Sequence, residues 1–138
     1  MDPDIILSKI DSLRRCVTRL EVKRPPNVEI LKNDEDLQDI LTINLEKSVQ
    51  ICVDIASHIL AESDSSLPAT MSETFLILSD TGIIDRELSE RMQKAVGFRN
   101  IAVHEYDKID WEIVYSILTR HLDDFKHFAS AILSALKK

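Results

Sequence analysis

Glycine and proline, the residues that most readily break a helix, occur only twice and four times in this 138-residue chain. Nowhere do β-branched and aromatic residues alternate at period two over a convincing length, whereas apolar residues recur at steps of three and four. An all-α fold is the expectation. A hydrophobic content of 44% is enough to bury one core without metals or cross-links, and no repeat, low-complexity stretch or linker divides the sequence. Residues 1–138 are therefore expected to form a single domain.

Asp2 and Pro3 supply an N-cap and a first helical residue, and Ile6, Ile10, Leu13, Val17 and Leu20 mark one face of a helix predicted to reach about Arg24. Pro25-Pro26-Asn27 stops it. Asn33 is the expected cap of a long second helix, with Asp34, Glu35 and Asp36 in its first turn and an apolar stripe from Leu37 through Leu41, Leu45, Val49, Cys52, Ala56 and Ile59. Ile40, Ile43, Ile51 and Ile55 fall outside that stripe, a width that suits two neighbours. Thr70-Met71-Ser72-Glu73 reads as a capping box for a short helix stopped by Gly82. Asp85 caps a helix running at least to Val103, and Asp110 caps a last one that carries Ile113, Ile117, Phe125, Phe128, Ile132 and Leu136. About four long helices and one short one, joined by short connections, predict an up-down bundle.

The formal charge of −7 disfavours broad, sequence-independent nucleic-acid binding, which relies on neutralising many phosphates. A local site is not excluded by it. Lys9, Arg14, Arg15, Arg19, Lys23 and Arg24 crowd the first helix, and this strip is either a solvated face or a guide for RNA. Cys16 and Cys52 sit among aliphatic residues, as unpaired core thiols do. No apolar run is long enough to span a bilayer and no basic leader precedes one, so a cytoplasmic protein without membrane contact is expected.

Leu88, Met92, Ala95, Arg99 and Ala102 follow the spacing of a core-facing seam, which puts a guanidinium where burial is costly. One reading is a snorkelling side chain; the other is a site, favoured by the small residues Ala95, Gly97 and Ala102, which let a backbone or ligand approach. Asn100 and His104 share a face, whereas Arg99 and His104 splay by about 140°. Convergence of Arg99 with His104 is therefore easier between two copies packed across a two-fold axis than within one chain. Two imidazoles and two guanidiniums in such a cleft would meet the needs of metal-free RNA cleavage: a base, an acid and a cation for the phosphorane.

Arg99-Asn100-Ile101-Ala102-Val103-His104-Glu105-Tyr106 resembles the R-x4-H-x-Y motif of HepT-like toxins of the HEPN ribonuclease superfamily. The KAVGFRNIAVHEY run, LEKSVQICVDIASHIL, SETFLIL and HLDDF extend the resemblance over most of the chain. It implies a dimeric, metal-independent endoribonuclease, the toxin of a type VII toxin-antitoxin pair, whose partner is an MNT-type nucleotidyltransferase antitoxin. It also implies that Arg99 and His104 are catalytic, that Asn100 supports them, and that Tyr106 receives AMP from ATP. No cofactor or metal is implied. If the helix continued past His104, Tyr106 would stand seven residues from Arg99, on nearly the same face, with its hydroxyl in the same cleft.

Two other classes compete. Asp124 and His127, three apart, have the spacing of a bundle metal site, but no second pair accompanies them; Asp54 and His58 are isolated, and His58, His121 and His127 read as ordinary surface or interface residues. A HEPN-like module without catalysis, docking a nucleotidyltransferase or a nucleotide, is the alternative function.

Overall fold

A computed structural model describes residues 2–63 and 68–137. Helix α1 (Pro3–Lys23) starts as expected, the Asp2 carboxylate accepting the Asp4 amide at 3.0 Å. The proline pair does end it, yet the chain makes one further turn, α2 (Val28–Lys32), capped by Asn27 and anchored by Leu31, which is fully buried. Asn33 closes α2 and leaves the capping of the long helix α3 (Glu35–Ala61) to Asp34, whose side chain accepts the Leu37 amide. The expected cap was one residue early because Asn33 and Asp34 are both competent caps and only the presence of α2 decides between them.

Helix α3 is the axis of the molecule. Its wide apolar surface serves α1 on one side and α4 (Met71–Asp80) and α5 (Arg86–His104) on the other. Ile55 is fully buried while Ile43 remains exposed, so the extra width is used at the C-terminal half of α3 and left open near its start. Lys9 meets Asp54 at 3.9 Å while Cys16 lies by Ser48, and Arg99 and Tyr106 meet Gln50 and Asp39, so both α1 and α5 run antiparallel to α3.

Thr70 and Glu73 form the expected box, the Thr70 hydroxyl accepting the Glu73 amide, with the Glu73 carboxylate reaching back to the amide of Ala69. Gly82 stops α4 at φ +84°, a left-handed conformation that a side chain resists. Asp85 and Asp110 cap their helices, but the last helix is two: α6 (Trp111–Arg120) and α7 (Leu122–Leu136) are separated at His121, whose ring faces Asp124 at 3.3 Å. The break lets α7 pack on α1, α3 and α5, while α6 holds α2 through Lys32–Glu112. Phe75 and Phe128 meet edge to face at 5.8 Å in the middle of one continuous buried cluster. Both thiols are free, Cys52 buried and Cys16 half-buried. Among the described residues, no helix is long and apolar enough to cross a membrane.

Candidate functional site

The buried seam of α5 is Leu88, Met92, Val96 and Ala102, so the helix rotates Arg99 off the centre of the core to a half-buried position at its edge. There the guanidinium finds neutral partners. One nitrogen donates to Oε1 of Gln50 at 3.2 Å and another to Oδ1 of Asn100 at 3.3 Å. The Gln50 amide nitrogen in turn donates to Asp54 at 2.9 Å, which fixes the glutamine oxygen toward the arginine. No carboxylate pairs with Arg99 among the described residues, so its charge is held in place without being cancelled. The stem packs, as in the snorkelling reading, but the head is tethered by two amides rather than by bulk water.

His104 is the last residue of α5 and is exposed. With Gly97, Asn100 and Ile101 it forms one exposed face at steps of three and four; a side chain built on Gly97 would meet nothing within 4 Å. The glycine therefore serves no close approach inside this chain. Val103 and Ile101 are likewise exposed to more than two-fifths of their area, leaving apolar surface beside the histidine. Asn100 is brought to Arg99 as expected, whereas Arg99 and His104 of one chain are not brought together.

Tyr106 departs from the expectation. The helix does not continue: Glu105, at φ −142° and ψ 52°, leaves the helical region, and Tyr106–Lys108 forms a single 3-10 turn leading to Asp110, the cap of α6. The chain passes from α5 to α6 through the six residues Glu105–Asp110, and the Tyr106 ring settles edge to face on Trp111 at 6.1 Å. Its hydroxyl donates to Asp39 Oδ1 at 2.5 Å, a short, charge-assisted bond. Burial, the Asp39 hydrogen bond and charge, and the charge of Glu46 push the phenol up to about 12. The hydroxyl of buried Thr42 closes no hydrogen bond among the described residues. The phenol thus does not look at Arg99; its anchor Asp39 lies on α3, about 16 Å and three turns from Gln50.

The rival carboxylate–imidazole pairs are engaged otherwise. Asp124 is buried between Arg91 at 3.5 Å and His121 at 3.3 Å, while His127 stays exposed on the next turn. Asp54 is taken up by Gln50 and Lys9. His58 is half-buried, and its Nε2 has no hydrogen-bond partner among the described residues.

The model of the family Ribonuclease HepT-like matches residues 6–132. The chain belongs to the HepT-like ribonuclease family. Among its relatives, this HepT-like chain is 35% identical over 129 residues to the mRNA nuclease HepT of Shewanella oneidensis, covering 94% of this chain and 96% of that one. It is 27% identical over 136 residues to the tRNA nuclease HepT of Aphanizomenon flos-aquae, covering 99% and 92%. The solved structure of a tri-AMPylated Shewanella oneidensis HEPN toxin in complex with an MNT antitoxin superimposes with a TM-score of 0.90 at 34% identity, over 97% of this chain and 99% of that chain.

Sequence reasoning missed Gln50 and Asp39, the residues of α3 on which this HepT-like chain hangs its arginine and its tyrosine. A signal was present. Asp39, Ile43, Glu46, Gln50 and Asp54 recur at steps of three and four, a mostly polar line on a helix otherwise rich in apolar positions.

Proposed function

We propose that this chain is the toxin of a type VII toxin-antitoxin pair, a metal-independent endoribonuclease of the cytoplasm that acts as a two-fold dimer. The observation that carries the reading is Arg99, half-buried, oriented by Gln50 and Asn100, and left with its full positive charge. A guanidinium so placed suits the non-bridging oxygens of a phosphodiester and the extra charge of a phosphorane. The exposed face of Gly97, Asn100, Ile101 and His104 is the surface through which a second copy brings its own His104 toward Arg99. One imidazole takes the 2′-hydroxyl proton as the oxygen attacks phosphorus, and another protonates the departing 5′-oxygen.

Tyr106 is the proposed point of neutralisation by an MNT-type nucleotidyltransferase. Its oxygen attacks the α-phosphate of ATP, pyrophosphate leaves, and the phenolic proton passes by way of Asp39, 2.5 Å away, to solvent, which leaves Asp39 charged again. The product can no longer donate to Asp39, and its phosphodiester charge is repelled by Asp39 and Glu46, which share that stretch of α3. Driven from the acidic end, the adenylyl group has Arg99 of α5, held on Gln50 three turns along α3, as a cation with no ion-pair partner among the described residues.

The test is direct. Purified protein in chelator is expected to cleave RNA, and Arg99→Ala or His104→Ala to abolish cleavage with the helical circular-dichroism signal intact. Cleavage persisting in either variant refutes the site. Co-expression with the nucleotidyltransferase is expected to add adenylyl mass to the peptide holding Tyr106. A silenced but unmodified toxin would show inhibition by docking alone.

A further inference from the structure

Five cations crowd α1 and a sixth, Arg24, caps its end, but they are not equivalent. Arg24 donates to the carbonyl of Leu118 at 2.8 Å and holds α6, and Lys9 meets Asp54. Arg15 and Arg19 are exposed and form no ion pair among the described residues. Both line a groove of about 360 Å³ between α1 and α3, together with Lys47 and Gln50 from α3, over a floor of Cys16 and Ile51. In a chain of net charge −7, three cations without an ion pair among the described residues line one groove, and no described carboxylate lines it.

Two features give the groove direction. Gln50, which lines the groove, is the residue on which Arg99 rests, so the groove and the arginine share a wall. Arg15 is steadied by Ser12, whose hydroxyl accepts from its guanidinium at 3.1 Å. Arg15 and Lys47 both lie close enough to Cys16 for their charges to act on its thiol, although burial still pushes that thiol up. The four-residue step from Arg15 to Arg19 spans about 6 Å of helix, a spacing that suits successive phosphates of an extended strand.

We infer that this groove is a phosphate-binding track for single-stranded RNA, holding the strand beside the bond presented to Arg99. The inference rests on the nuclease reading given above. A single strand is the occupant because in-line attack by a 2′-hydroxyl needs a backbone free to leave A-form geometry. Arg15, Arg19 and Lys47 hold the strand by charge, and none of them reads bases.

Binding is tested apart from chemistry in the His104→Ala background, using a labelled oligouridine of about 20 nucleotides and fluorescence anisotropy across a salt series. Replacing Arg15, Arg19 and Lys47 together by alanine is expected to weaken binding about tenfold or more at 0.1 M salt. Because each lost phosphate contact on a single strand removes about 0.7 from the logarithmic salt slope, the slope should fall by about 2. A control triple alanine variant of Lys23, Arg86 and Arg120, with the same change of charge, should move neither quantity comparably. Thermal melting by circular dichroism checks that both variants fold.

Unchanged affinity and slope in the groove variant, or an equal loss in the control, overturns the proposal. So does failure of the His104→Ala protein to bind the RNA with its groove intact. Retained RNA affinity with lost binding of the nucleotidyltransferase would assign the groove to a protein instead, and also overturns it. If RNA is bound through these three residues but the unmutated protein cleaves nothing, the nuclease reading falls and the track stands.

Discussion

Asp39→Asn removes a charge from Tyr106 while keeping an acceptor of the same shape, so it separates the electrostatic part of that contact from the packing. In the intact protein the phenol is pushed up to about 12, first by burial, then by the hydrogen bond and charge of Asp39, with Glu46 adding to it. The amide can still accept the hydroxyl hydrogen, and burial on Trp111 is unchanged. The titration of Tyr106 is therefore expected to fall from about 12 toward, but not fully to, the ordinary value of 10. A phenol at 12 is ionised in about one molecule in ten thousand at pH 8, and at 10 in about one in a hundred, so the substitution raises the phenolate up to about a hundredfold.

The assay is tyrosinate absorbance against pH, with Tyr106→Phe identifying which transition belongs to this residue. Stability supplies a second readout. The folded phenol holds its proton more tightly than the unfolded one, so its contribution is complete below pH 10 and is lost as pH rises through 10 to 12. Melting temperature should accordingly drop less steeply across that window in Asp39→Asn than in the parent. A Tyr106 transition that stays in place when Asp39 is neutralised would refute the argument, and so would a parent protein in which Tyr106 titrates at the ordinary value.

Two other outcomes are expected. Mixing Arg99→Ala and His104→Ala proteins, each inactive alone, should restore weak RNA cleavage once subunits exchange, because the mixed dimer joins one intact arginine to one imidazole and so keeps one of the two proton transfers; no recovery despite proven exchange would mean that both imidazoles are required or that arginine and histidine act within one chain. Phe128→Ala, at the fully buried edge-to-face contact with Phe75, should cost about 3–5 kcal/mol in denaturant unfolding, and a loss under 1 kcal/mol would mean the core repacks around the gap.

Most of the helical plan was legible because local signals agreed with each other. Asp2, Thr70, Asp85 and Asp110 each cap as their sequence context indicates, and the stripe Ile6, Ile10, Leu13, Val17, Leu20 is buried throughout. The misreadings arose where two local choices were equally good, as at Asn33 and Asp34, or where tertiary demands broke a periodic run, as at His121. At the site, the positions of Arg99, Asn100 and His104 along α5 followed from spacing. The environment of Arg99 did not, because Gln50 lies 49 residues away and nothing local links them. Tyr106 was misplaced for the same reason: extrapolating a helix ignores the pull of Trp111 and Asp39, neither of which is a helical neighbour.

The stretch of α3 between Asp39 and Gln50 behaves as a ruler with a phase. Eleven residues bring the two side chains back to within about 20° of one face, which is why one uninterrupted helix can present an acidic anchor to the tyrosine and an amide to the arginine. A single inserted residue would lengthen it by only about 1.5 Å but turn one anchor about 100° away from the other. The tolerance of this family member to change in α3 is thus angular before it is linear: the helix cannot gain or lose one residue between its two anchors without putting the supports of Tyr106 and Arg99 on different sides of the rod.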